Sequence, residues 1–212
     1  MYKLIITDSI GKHVTRVKNA KLQALPGYTI SRTADSIAFG NISVSGYKAI
    51  LVHMGTNDIP PKKDRFTGKQ SIQPINHVVD AYRHLVQVIR RYNAHCQIVV
   101  SAIIPRPVDF LVSAYRVQKV NEGLQQLCEN KHKMIFNPTH KFFFKRGLPV
   151  RGYYSESDKL HLRGSGVMRL QQAFQQALSD VNLVKANHWR RKPSKVATGL
   201  DLQRGTVTVS GV

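Results

Sequence analysis

The chain is predicted to be an α/β protein built on a parallel sheet, and three observations carry that prediction. Short apolar runs alternate with stretches of helical periodicity, the pattern of strands joined by crossover helices. The runs are rich in β-branched residues and end at turn-forming residues. Hydrophobic residues make up 42% of 212 positions and aromatics 8%, which suits one globular domain with a sizeable core.

Taken in order, Lys3 to Thr7 reads as the first strand, and Ala49 to His53 as a buried strand entering a turn at Gly55. Ile75, Val78, Val79, Tyr82, Leu85, Val86 and Ile89 recur at helical spacing and leave Arg83, Arg90 and Arg91 on the wet face. Gln97 to Ile104 is a β-branched strand stopped by Pro105 and Pro107. Val117, Val120, Leu124 and Leu127 mark a second helix, and Met134 to Asn137 a short strand. Val167, Leu170, Phe174 and Leu178 mark the last helix. Residues 60–73 form a polar loop, and a second loop, 138–157, mixes Phe142, Phe143, Phe144, Tyr153 and Tyr154 with cations. From Lys185 the periodicity fades and cations gather around Trp189. The expected organisation is a domain over 1–184 and a basic, disordered tail over 185–212.

The charge balance narrows the partners. Lys plus Arg total 32 against 12 for Asp plus Glu, a net +20. Such an excess favours polyanions, nucleic acid first among them, although a merely solvated basic surface is the other reading. No run is long enough for a membrane span, and Tyr2 to Ile6 lacks a signal-peptide layout. An intracellular location, cytoplasmic or nuclear, is therefore expected. Cys96 and Cys128 read as buried free thiols, in keeping with a reducing compartment. No His, Cys and carboxylate set has metal-ligand spacing, so neither metal nor cofactor is expected.

Three short segments carry chemistry. Ser9 follows the first strand, which places its hydroxyl at the carboxyl edge of the sheet, where open α/β sheets bind ligands. A serine hydroxyl needs a base before it becomes a nucleophile, and Asp-Ser after a strand is equally a helix cap. Asp158-x-x-His161 answers that need: one carboxylate can hold the Nδ1 proton of the imidazole while Nε2 faces outward. Asn57, in Gly55-Thr56-Asn57-Asp58, could donate its side-chain amide to an oxyanion over Ser9. Gly27, in Pro26-Gly27-Tyr28-Thr29, could add a backbone N–H. Both are also common turn residues.

The order Asp-Ser, Gly-x-Thr, Gly-Thr-Asn-Asp, Asp-x-x-His resembles the SGNH (GDSL-type) hydrolases over roughly residues 1–180. That resemblance implies a flavodoxin-like three-layer α/β/α sandwich and an esterase acting on acetyl or short-acyl esters through an acyl-enzyme. It implies Ser9 as nucleophile, His161 as base, Asp158 as orienting acid, and Ser9 N–H, Gly27 and Asn57 as the oxyanion hole. The stretch Ser101-Ala102-Ile103-Ile104-Pro105-Arg106-Pro107 and Asn121 further resemble a subgroup found in retrotransposon-encoded proteins. Two departures stand out: Thr7 replaces the family's usual glycine, and Ile10-Gly11 its usual aliphatic sequel. Gly40 is the other candidate for Gly27's place. Neither departure removes a catalytic group. A catalytically weakened module that binds nucleic acid is the alternative function.

Overall fold

The computed structural model describes residues 2–63, 70–71, 74–129 and 131–190. Five strands, β1 (Lys3–Thr7), β2 (Ala20–Ala24), β3 (Ala49–His53), β4 (Gln97–Ser101) and β5 (Met134–Asn137), form one sheet. They run parallel in the order β2-β1-β3-β4-β5. The four long helices are α1 (Ile30–Ala38), α2 (Ile75–Tyr92), α3 (Phe110–Cys128) and α4 (Gly164–Arg190).

Strand periodicity sorts the core into two halves. Leu4, Ile6, Ile50, Val52, Ile98 and Val100 face one side, packed with Ile30, Ala34 and Ile37 of α1, Tyr82 and Leu85 of α2, and Val117, Val120 and Leu124 of α3. Ile5, Leu51 and Val99 face the other side, against Leu170, Phe174 and Leu178 of α4. The result is a three-layer α/β/α arrangement whose central strands are buried on both faces. Strand order reverses between β1 and β3, and the chain leaving each of these strands opens on that switch point.

Several boundaries differ from the sequence expectation for physical reasons. The strand expected over Gln97 to Ile104 ends at Ser101. Beyond it, the Asn121 amide donates to the Ile103 carbonyl at 2.9 Å and accepts the Ile103 N–H at 2.8 Å, replacing sheet pairing with a side chain of α3. Helix α3 begins at Phe110, ahead of its apolar stripe. Strand β2 and helix α1 were not expected at all. Within the polar loop, Lys62–Lys63 pairs antiparallel with Gln70–Ser71. Helix α4 continues to Arg190, past Lys185 where the periodicity fades, and the rest of the expected tail, 191–212, lies outside the described residues. Phe143 of the aromatic loop is fully buried, edge-on to Tyr153 and Tyr154. Cys96 and Cys128 are buried free thiols. No helix among the described residues is long and apolar enough to cross a membrane.

Candidate active site

Ser9 opens a short 3-10 turn, Ser9–Gly11, at the carboxyl end of β1. Its hydroxyl donates to His161 Nε2 at 3.1 Å, and His161 Nδ1–H donates to Asp158 Oδ2 at 2.6 Å. The three expected residues thus form one continuous relay, although 152 positions separate Ser9 from His161. The Asp158 turn holds itself: Asp158 Oδ1 accepts the N–H of Leu160 and of His161, both at 2.9 Å, and Lys159 takes a left-handed φ of 51°. With its second oxygen on the imidazole, the carboxyl is held down to about 2, chiefly by the hydrogen bond to His161.

Asn57 is bonded to the turn that carries Gly27. Tyr82, buried in α2, donates its hydroxyl to the Met54 carbonyl at 2.7 Å and accepts the Met54 N–H at 3.2 Å, which fixes the end of β3. Gly55 follows with φ 113°, and a Cβ there would stand 2.6 Å from Ile103 Cδ1, so both backbone and space demand glycine. Asn57 then directs its Nδ2 to the Tyr28 carbonyl at 2.9 Å, which leaves the second amide hydrogen unassigned to that bond. Gly27 sits in the Pro26-Gly27 turn with φ 74°, two residues before Thr29, the residue capping α1. Gly40 lies at the opposite end of α1 from that turn, so Gly27 is the glycine brought beside Asn57.

Two buried carboxylates that sequence reasoning did not single out tie these turns together. Asp8 is fully buried, with Oδ1 accepting the Ile10 N–H at 3.0 Å and Oδ2 the Thr56 N–H at 3.1 Å. Burial pushes its pKa up, against the pull of those two N–H groups. Asp58, also buried, accepts the Ile30 N–H at the start of α1 at 3.2 Å. The Ser9 turn is thereby bonded to the Asn57 turn, and the Asn57 turn to α1. An Asp one residue before the serine and one after the asparagine was the available signal.

The departures at Thr7 and Gly11 lie in contact. A Cβ on Gly11 would stand 2.3 Å from Thr7 Oγ1 and 2.9 Å from its Cγ2, so the glycine at 11 makes room for the side chain at 7. Thr7 is fully buried, and its hydroxyl has no hydrogen-bond partner among the described residues. Behind this side of the site lies His53, paired in register with Thr7. His53 is buried, within hydrogen-bond distance of Ser101 Oγ (3.1 Å) and edge-on to Phe174, and burial pushes its pKa down to about 4. Among the described residues no three His, Cys, Asp or Glu side chains gather as a metal site would require.

The fold and this geometry define a class, the SGNH-type α/β hydrolases, and sequence comparison agrees. The GDSL-like Lipase/Acylhydrolase family model matches residues 7–168, and the chain belongs to that family, whose members hydrolyse esters. No curated protein matches the chain. Among solved structures, a Streptococcus pneumonia protein provisionally described as a platelet activating factor aligns with TM-score 0.69 at 20% identity, covering 83% of each chain. A GDSL-like lipase from Bacteroides thetaiotaomicron aligns with TM-score 0.65 at 12% identity, over 84% of this chain and 88% of that one. A carbohydrate esterase of family 3 from Talaromyces cellulolyticus aligns with TM-score 0.59 at 12% identity, over 88% and 99%. At these identities the likeness is one of fold.

Proposed function

We propose that the protein is a serine esterase cleaving small-acyl carboxylic esters through an acyl-enzyme on Ser9. The observation that carries this reading is the unbroken relay from Ser9 Oγ through His161 to Asp158, at 3.1 and 2.6 Å. His161 takes the serine proton as Ser9 attacks the ester carbonyl, and then returns it to the leaving alcohol. Water, deprotonated by the same imidazole, releases the acid. Asp158 remains ionised throughout, fixing the tautomer with Nδ1 protonated and stabilising the imidazolium. The oxyanion is received by the Ser9 and Gly27 N–H groups and by the Asn57 amide.

Hydrolysis of p-nitrophenyl acetate by the wild type and by Ser9→Ala tests the proposal. Loss of about 10⁴-fold or more in kcat, together with loss of fluorophosphonate labelling, is expected for Ser9→Ala. Turnover that survives the substitution refutes the assignment.

A second role as a polyanion binder, proposed beside the first, is favoured by the segment around residues 140–151. It carries His140, Lys141, Lys145, Arg146 and Arg151 with no acid among them, beside the half-buried Phe142 and Phe144. Cations interleaved with aromatics suit single-stranded nucleic acid. Binding of this kind weakens steeply with added salt, and an oligonucleotide titration at low and moderate salt tests it.

A further inference from the structure

We propose that Arg106 is a positioning residue for the Asn57 oxyanion donor, and that the segment 105–109 braces the two catalytic turns against each other. The inference rests on the esterase reading above and adds a residue to its machinery that touches no reacting atom.

Arg106 follows Pro105 in the loop between β4 and α3 and is only 6% exposed. Its guanidinium is committed in two directions. Nε and Nη2 grip the Asp109 carboxylate at 2.9 to 3.2 Å. Nη1 donates to the Thr56 carbonyl at 2.8 Å, across 50 positions of chain. That carbonyl belongs to the peptide joining Thr56 to Asn57. The Thr56 N–H, at the other end of the residue, is held by the buried carboxylate of Asp8. A buried carboxyl oxygen therefore fixes the peptide entering Thr56, and a guanidinium fixes the peptide leaving it. With both planes set, the Asn57 Cα has little freedom in where it presents its amide.

The same segment reaches the opposite half of the site. The Val108 N–H donates to the Lys159 carbonyl at 3.0 Å, in the turn between Asp158 and His161. Tyr154, buried nearby, donates its hydroxyl to the Pro105 carbonyl at 2.9 Å. Lys159 has the left-handed φ noted above, a conformation uncommon for non-glycine residues, and the Val108 bond adds to the turn's own bonds in holding it. Thus residues 105–109 contact the turn bearing the donor through Arg106 and the turn bearing the base through Val108.

Arginine suits the task because its planar fork binds a carboxylate with one edge while another N–H serves a third group. The Asp109 partner offsets the cost of burying the charge. Lysine could reach one of these acceptors but not form the fork.

The test is a double-mutant cycle between Arg106→Met and Asn57→Ala, read by p-nitrophenyl acetate kinetics and by the amide ¹⁵N shifts of Asn57. Misplacing a catalytic group by about 1 Å is expected to lower kcat by roughly 10- to 100-fold in Arg106→Met, with KM changed by less than about two-fold. Arg106→Lys should recover part of that loss. In the Asn57→Ala background, removing Arg106 should add less than about two-fold, because the donor it positions is gone. The backbone ¹⁵N of Asn57, which senses hydrogen bonding at the Thr56 carbonyl, should shift in Arg106→Met. Equal fold losses in both backgrounds, unchanged kcat, or an unshifted Asn57 resonance each overturn the proposal. Should Arg106→Met not fold, Arg106→Lys and Asp109→Asn carry the same cycle. A wild type without turnover counts against the esterase reading alone, and the Asn57 resonances then decide on Arg106.

Discussion

The two halves of the site are held by opposite means. The Ser9 and Asn57 turns leave buried strands and are bonded to each other by Asp8, a carboxylate with no exposure. The turn from Asp158 to His161 lies in the open, with side chains 43% and 35% exposed, and is shaped mainly by the carboxylate's own bonds to the N–H groups that follow it. On the first side, positioning is a tertiary property, shared with the core. On the second it is largely local. Substitutions in the buried half should therefore damage stability as well as rate, whereas those in the exposed half should damage chiefly rate.

The sharpest separation is expected from Asp158→Asn. Losing the correct imidazole tautomer should lower kcat by about 10³- to 10⁴-fold. Thermal unfolding should shift less than for a buried carboxylate, since this one is 43% exposed and its interactions are screened by solvent. A large fall in Tm would break the contrast.

The halves should also differ in pH response. His53, behind the buried half, is pushed down to about 4 from 6.5. Its neutral form is the one the fold accepts, so the unfolded chain binds the extra proton and stability falls as pH drops from 6.5 towards 4. The full loss is about 3 kcal/mol, readable by urea unfolding across that window, and His53→Asn should flatten it. Asp158 works in a lower window: depressed to about 2, it contributes above 3.8 and loses that contribution only as pH falls further. A stability profile unchanged by His53→Asn would assign the acid sensitivity elsewhere.

Asp8→Asn is the buried counterpart of the first test. An amide in place of the carboxylate leaves at least one of the Ile10 and Thr56 N–H groups unsatisfied, for a loss of about 1–3 kcal/mol. Calorimetry should show a larger fall in Tm than Asp158→Asn gives. Gly11→Ala should destabilise by a similar or smaller amount, about 1–3 kcal/mol from overpacking against Thr7. Thr7→Gly in the same chain should restore most of it. Failure of that rescue would mean the two departures from the family pattern are independent.

Much of the architecture was legible in the sequence because buried strands and amphipathic helices write their period plainly. Ile50, Leu51 and Val52 read as a strand, and Tyr82, Leu85 and Ile89 as one face of a helix, with all of these buried. Strand β2 escaped notice since Ala20–Ala24 is a half-exposed edge with two polar side chains and no β-branched residue. Helix α1 is built of Ser, Arg, Thr and Asp around only a few apolar residues, yet Ile30, Ala34 and Ile37 keep helical spacing behind the Thr29 cap. That signal was present and weak. Ser9, Asn57, Asp158 and His161 were visible through motif order, whereas Asp8, Asp58 and Arg106 act through bonds to backbone atoms distant in the chain. Adjacency to Ser9 and Asn57 marked the two aspartates as candidates, but no local pattern announces the long-range bonds to Thr56 and Ile30.

The separation of 152 positions between Ser9 and His161 gives the site a schedule. During synthesis Ser9 is made first of the three relay residues, and His161 follows only after the five strands of the sheet and helices α1 to α3. On the esterase reading, a nascent chain stopped before residue 161 lacks the imidazole that bonds the Ser9 hydroxyl. The first appearance of esterase activity on a translating ribosome would thus report that the final loop has reached the first strand.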